Sequence, residues 1–256
     1  MIDKTVPDAA TAISGIRDGA TIMIGGVGRA GQPVELIDAL IAHGAGDLVI
    51  VSNNAGNGDT GLAALLAAGR VRRVVCSFPR QHDSWVFDDL YRSGRIELEL
   101  VPQGNLAERI RAAGAGIGAF YTPTGVGTQL ADGKETRVID GRTYLLEYTL
   151  RADVALVSAL RADRWGNLVY RETARNFGPI MAAAATTTVA QVDEVVSLGA
   201  LDPESIVTPG IFVDRVVAVG ERAWLRDGRF VGGVDIEGAP LAAAAGEGQS
   251  DDEGAR

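Results

Sequence analysis

The stretch TIMIGGVGRAGQP, Thr21 to Pro33, decides how the rest of the chain is read. Its apolar head, Ile22, Met23 and Ile24, has the composition of a buried strand. The run breaks into a loop holding Gly25, Gly26, Gly28 and Gly31, and Pro33 stands where a proline opens a helix. Strand, glycine loop and helix start form the first half of a strand–helix–strand unit, the building block of a parallel sheet covered on both faces. The loop also offers chemistry. Backbone N–H groups at the positive end of a helix dipole can receive a phosphate or a developing oxyanion. A tight turn with no ligand is the competing reading.

Gly26, Gly28 and Gly31 also spell the dinucleotide fingerprint, G-x-G-x-x-G. That motif needs an acid at the end of the next strand to hold a ribose hydroxyl. The next strand, Leu48 to Val51, instead runs into Ser52, Asn53 and Asn54, and Asp47 stands at its wrong end. A nicotinamide enzyme is therefore the weakest of the readings.

Outward from this unit the alternation continues. Helices are expected over 9–17, with Asp8 as N-cap, and over 34–43, 61–68, 84–93 and 106–112. Strands are expected over 48–51, 71–76 and 97–101. From 113 to 128 the texture turns to Gly, Thr and Pro, which reads as an ordered loop or hairpin region. Short strands follow at 138–139, 143–147 and 154–157, with a hairpin turn at Asp140-Gly141. A strand at 168–170, a helix at 179–185 and strands at 187–192 and 194–198 complete the pattern. The fold class is α/β, an open and mainly parallel sheet with a Gly/Thr-rich loop and short-strand insertion. One domain is expected over 1–237. Residues 238–256, small, polar and acidic, read as a disordered tail.

With 256 residues, 46% of them hydrophobic, the chain can bury a large core. It has no apolar run of membrane-spanning length, and MIDKTVPDAA lacks the order of a signal peptide. Cys76 is the single cysteine, so no intramolecular disulfide forms and a cytoplasmic location is expected. A net charge of −9 argues against non-specific nucleic-acid binding.

Nucleophiles are scarce. His43 ends a helix, where it complements the dipole, and His82 lies in a loop; neither has the neighbours of a metal site. Cys76 ends an apolar strand and reads as core. Glu35 and Glu108 suit helix roles, and Glu147 ends a strand. The amides are better placed. Asn53 follows one strand and Gln103 another, at the carboxyl edge where ligands of parallel sheets bind. Each could receive an oxyanion, or could simply build a turn.

Five blocks then carry a resemblance: GGVGRAGQPVELI, SNNAGNGDTGLAALL, PQGNLAERIRAAGAGIGAFYTPTGVGT, ADRWGNLVYRETARNF and DPESIVTPGIFVDRVV. Together they resemble the A (alpha) subunit of the class I 3-oxoacid CoA-transferases across residues 3–219. VVCSFPRQHDSWVFDDLY points within that family toward 3-oxoadipate as acceptor. The resemblance implies the CoA-transferase type of open sheet and a B subunit that supplies the attacking glutamate, which accounts for the missing nucleophile. It implies CoA thioester as substrate, with no permanently bound cofactor and no metal. It places Gly25, Gly26, Val27, Gly28, Arg29, Ala30 and Gly31 against CoA, with Val27 where the family has Phe. Asn53 falls on the oxyanion position and Gln103 on the active-site glutamine. The implied reaction is ping-pong transfer from succinyl-CoA to a 3-oxo acid. A dicarboxylic acceptor needs a cation for its distal end; Arg80 is the first candidate and Arg175 the second. Acetoacetate as acceptor, thioester hydrolysis and a non-catalytic CoA- or phosphate-binding module are the alternatives.

Overall fold

The computed structural model describes residues 2–220, together with the backbone of two short strands, Leu225–Arg226 and Arg229–Phe230, that pair antiparallel in a separate unit beginning at Glu221. The expected domain end at 237 and the acidic tail at 238–256 lie outside the described residues.

In chain order the first unit contains β1 (Thr5–Val6), α1 (Ala9–Ile13), β2 (Thr21–Ile24), α2 (Val34–His43), β3 (Leu48–Val51), α3 (Leu62–Ala67), β4 (Val71–Cys76), α4 (Trp85–Arg92), β5 (Glu97–Leu100) and α5 (Gln103–Gly114). It continues with β6 (Ala119–Thr122), β7 (Thr136–Ile139), β8 (Arg142–Tyr148), β9 (Ala152–Asp163), β10 (Leu168–Val169), α6 (Gly178–Ala184), β11 (Ala185–Val196) and β12 (Arg215–Ala218). The main sheet runs β1-β12-β11-β9-β2-β3-β4-β5, with every neighbour parallel; β10 joins β9 antiparallel.

The covered parallel sheet follows from the sequence. All four residues of β3, LVIV, are buried, as they must be with helices on both faces. Alternation along β2 divides the core. Ile22 and Ile24 pack with Leu36, Ile37 and Leu40 of α2 on one face, and Met23 packs with Leu106, Ile110 and Met181 of α5 and α6 on the other. α2 ends as a left-handed C-cap: Gly44, at φ 89°, donates its N–H to the Leu40 carbonyl.

Several elements are longer than local pattern suggests. β9 and β11 each span 12 residues and pair along their length, so the expected strands at 187–192 and 194–198 are one. Charge at Arg161 and Glu194 does not break the ladder, because the two residues stand at the same register and pair across it at 3.5 Å. β6 lies within the Gly/Thr-rich region and forms an antiparallel sheet, β6-β8-β7, turned at Asp140 (φ 50°) and Gly141 (φ 73°). Two consecutive positive φ values are what a two-residue hairpin turn demands. This insertion is fastened to α5 by a buried carboxylate. Glu147, 3% exposed, takes hydrogen bonds from Lys134 Nζ at 2.6 Å and Asn105 Nδ2 at 3.2 Å.

Candidate active site

The carboxyl ends of β2, β3, β4 and β5 lie on one edge, and the residues singled out by sequence gather there. Ser52, Asn53 and Asn54 are all buried directly after β3. The two asparagines divide the work. Asn54 Oδ1 accepts from the Gly56 N–H at 2.9 Å, an Asx turn that sends the chain toward α3. Asn53 faces its neighbours instead. Its carbonyl accepts from the N–H groups of Ser77 (3.2 Å) and Phe78 (3.0 Å), which continues the β3–β4 pairing past the ends of both strands.

The Asn53 side chain is held by two donors. Gln103 Nε2, in the first turn of α5, donates to Asn53 Oδ1 at 2.7 Å, and the Ser77 hydroxyl lies 2.9 Å from the same oxygen. With Oδ1 fixed in this way, Nδ2 is the free end of the amide. It has no hydrogen-bond partner among the described residues. A preoriented donor with an unused N–H is what a developing oxyanion requires. α5 begins at Gln103, three residues before the expected start, which puts this glutamine on a helix terminus rather than in a loop.

The glycine loop is a tight hairpin whose N–H groups are largely used internally. Gly25 N donates to Leu156 O at 3.0 Å, and Gly26 N to Asn176 Oδ1 at 3.1 Å. Val27 and Ala30 exchange N–H···O bonds of 3.1 and 3.2 Å, and Gln32 N reaches Arg29 O at 3.3 Å. The N–H groups of Gly28, Arg29 and Gly31 remain without a partner among the described residues. The positive end of α2 is also occupied by the protein itself. Buried Gln191 of β11 accepts the Leu36 N–H at 3.0 Å and donates its amide to the Glu35 carboxylate. The loop's capacity for an anion therefore rests on the hairpin tip, not on the helix pole.

A cleft of about 360 Å³ opens between this hairpin and two helices. Val27 lines it from the loop, Gln103, Gly104 and Ala107 from α5, and Asn176, Phe177 and Ile180 from the entry to α6. None of these side chains is a carboxylate, thiol or imidazole. The other potential nucleophiles have separate duties. Cys76 is fully buried and burial pushes its thiol up to about 12. His43 Nε2 lies 2.9 Å from Ile16 O, joining α2 to the turn after α1 instead of capping its own helix. Glu108 is paired with Arg111 on the surface of α5.

The two candidate arginines differ. Arg80 is ion-paired to Asp88 of α4. The Arg175 side chain is exposed, makes no hydrogen bond or ion pair among the described residues, and immediately precedes cleft-lining Asn176. The Arg29 side chain at the hairpin tip is likewise exposed and has no hydrogen-bond or ion-pair partner among them.

Asn176, Ser77 and Gln191 are the contributors that sequence reasoning did not single out. Asn176 bonds to a loop 150 positions earlier, and no local spacing announces such a contact. Its only trace in the sequence is its place in ADRWGNLVYRETARNF, one of the blocks that carry the resemblance.

A parallel sheet with amide donors at its carboxyl edge, beside a cleft whose lining holds no carboxylate, thiol or imidazole, is the arrangement that the resemblance to the A-type half of a CoA-transferase implies. The chain belongs to the coenzyme A transferase family, whose sequence model it matches over residues 6–219. It is 70% identical over 223 residues to a Pseudomonas putida protein named as the A subunit of 3-oxoadipate CoA-transferase, covering 87% of this chain and 96% of that one. A protein of the same name from Acinetobacter baylyi is 65% identical over 219 residues, 86% of this chain and 96% of that one. Among solved structures, an acyl-CoA transferase apoenzyme from Escherichia coli O157:H7 matches with a TM-score of 0.76 at 25% identity. That match covers 84% of this chain and 47% of the solved one, so this chain spans about half its length. Among the described residues no helix is long and apolar enough to cross a membrane.

Proposed function

We propose that this chain, joined to a B-type subunit in the cytoplasm, moves CoA from succinyl-CoA to 3-oxoadipate, giving 3-oxoadipyl-CoA and succinate. The observation that carries the proposal is the Gln103–Asn53 amide pair beside a cleft lined without a nucleophile. The relatives' shared name supports the choice of acceptor.

In the proposed reaction the B-type partner supplies a glutamate whose carboxylate attacks the thioester carbonyl; the C–S bond breaks and CoA leaves as thiolate. The thiolate then attacks the glutamyl carbonyl of the mixed anhydride and releases succinate, leaving CoA on the glutamate. The acceptor carboxylate repeats the two steps in the opposite sense, which restores the glutamate. Each tetrahedral intermediate is anionic, and a carboxylate is a weak nucleophile. Asn53 Nδ2 is the donor this chain offers to that charge, and Gln103 fixes its direction. The N–H groups of Gly28 and Arg29 are the further donors of the hairpin tip, available to the thioester or its phosphates.

Co-expression with a B-type chain tests this reading. The complex is expected to form acyl-CoA from succinyl-CoA and 3-oxoadipate, and the present chain without its partner is expected to form none. Transfer by the isolated chain, or transfer to acetoacetate in preference to 3-oxoadipate, would overturn it.

We propose Arg175 rather than Arg80 for the distal carboxylate of the acceptor, because Arg80 is already ion-paired to Asp88. Arg175→Ala is expected to raise KM for 3-oxoadipate about tenfold, the scale of one charge-assisted hydrogen bond, with a smaller change for acetoacetate. Arg80→Ala is the comparison. A larger effect there would return the role to Arg80.

A further inference from the structure

We infer that Asn176 is a positioning residue whose single carboxamide sets the width of the cleft. The inference rests on the CoA-transfer reading for its kinetic consequence, though not for its geometry. Asn176 Oδ1 accepts from the N–H groups of Gly26 (3.1 Å) and Phe177 (2.7 Å). Its Nδ2 donates to the carbonyls of Ala30 (2.9 Å) and Thr173 (3.0 Å). Both acceptor sites and both donor hydrogens of the amide are therefore in use, the full capacity of an asparagine side chain.

The pattern of partners is what gives the residue its role. Gly26 and Ala30 stand on opposite limbs of the glycine hairpin, so one side chain grips both limbs. Phe177 begins the segment leading into α6, whose Phe177 and Ile180 form the wall facing Val27 of the hairpin. The two walls of the cleft are thus joined through one group, and the distance between them follows its reach. A fully satisfied polar network of this kind is stiff, and loses most of its value when one bond is removed.

No isostere reproduces this. Aspartate keeps the shape and the acceptor for Gly26, but it presents an oxygen to the Ala30 carbonyl where a donor is needed. A residue that only filled space would tolerate that change.

The test uses the two-subunit complex with Asn176→Asp and Asn176→Ala. Both are expected to lower kcat about ten- to a hundredfold, the scale of an ångström-sized misplacement at a reacting centre, with KM for succinyl-CoA within about threefold. Hydrogen–deuterium exchange on the isolated chain supplies a readout that needs no activity. Residues 25–32 are expected to exchange faster in both variants, with residues 48–54 of β3 and its following turn unchanged. Wild-type kinetics in Asn176→Asp, or unaltered exchange in the hairpin, would overturn the inference. Faster exchange in the hairpin together with an inactive wild-type complex would instead keep the clamp and reject the CoA-transfer reading. General unfolding would appear as faster exchange in β3 as well, and would reduce Asn176 to a folding role, which also overturns the inference.

Discussion

Asn53→Ala is expected to lower kcat for CoA transfer by about two to three orders of magnitude while leaving KM for succinyl-CoA within a few-fold, the usual cost of deleting one oxyanion donor. The backbone of Asn53 gives reason to expect a folded variant. The bonds that join β3 to β4 at this point run to its carbonyl, which alanine retains. Gln103 loses its acceptor in the variant, but it is exposed and water can take its place. Asn53→Asp is expected to be worse than alanine. It substitutes a negative charge for a donor at the place where negative charge must develop. Single-turnover measurement of acyl transfer from succinyl-CoA to the complex isolates the affected step. A variant within threefold of wild type would remove Asn53 from the chemistry and leave it as a turn residue.

Gly31→Ala is expected to be the most damaging conservative change in the glycine loop. Gly31 sits at φ 76°, where an L-residue costs about 1–2 kcal/mol. A methyl group there would also stand 2.1 Å from the Ala174 carbonyl oxygen and 3.0 Å from Asn176 Nδ2. The first of these is backbone and cannot rotate away, so the hairpin and the 172–177 turn must separate. Gly28→Ala is the control, because Gly28 has φ 61° and an added Cβ meets nothing within 4 Å. Both variants carry the backbone cost, and only Gly31→Ala carries the overlap. A fall in Tm of at least about 4 °C is expected for Gly31→Ala, clearly larger than for Gly28→Ala. Its transfer activity should fall with it, as the hairpin loses Asn176. Equal losses in the two would show that the contact with Ala174 yields cheaply.

The core of the fold was legible because its elements are apolar in long, regular runs. β2, β3 and β4 and helix α2 fall where hydrophobic period and glycine placed them, since burial on both faces writes itself directly into the sequence. β1 and β12 left no such mark. Two and four residues long, they become strands because they pair with each other and with β11, which is information held elsewhere in the chain. The same division holds for the site. Asn53 and Gln103 could be singled out from their positions after strands, and the structure brings them together at 2.7 Å. The internal use of the loop's N–H groups could not be read, because the acceptors are Leu156, Asn176 and the loop itself in a particular conformation. Gln191, which blocks the helix pole, stands in a strand with no local link to Glu35.

The order of strands also imposes a schedule on biosynthesis. β2 through β5 and their helices have all been made once residue 114 is added, but β9, the other neighbour of β2, comes later. Ile24 of β2 pairs with Leu156 of β9, and the intervening chain takes about 7–26 s to translate at ordinary ribosomal rates. During that interval the inner edge of β2 is an unpaired parallel edge made of Thr21, Ile22, Met23 and Ile24, open to pairing with other nascent chains. β1 waits longer still, for Arg215–Ala218. Expression conditions that slow translation through residues 120–180 should therefore lower soluble yield, even though the finished protein is unchanged.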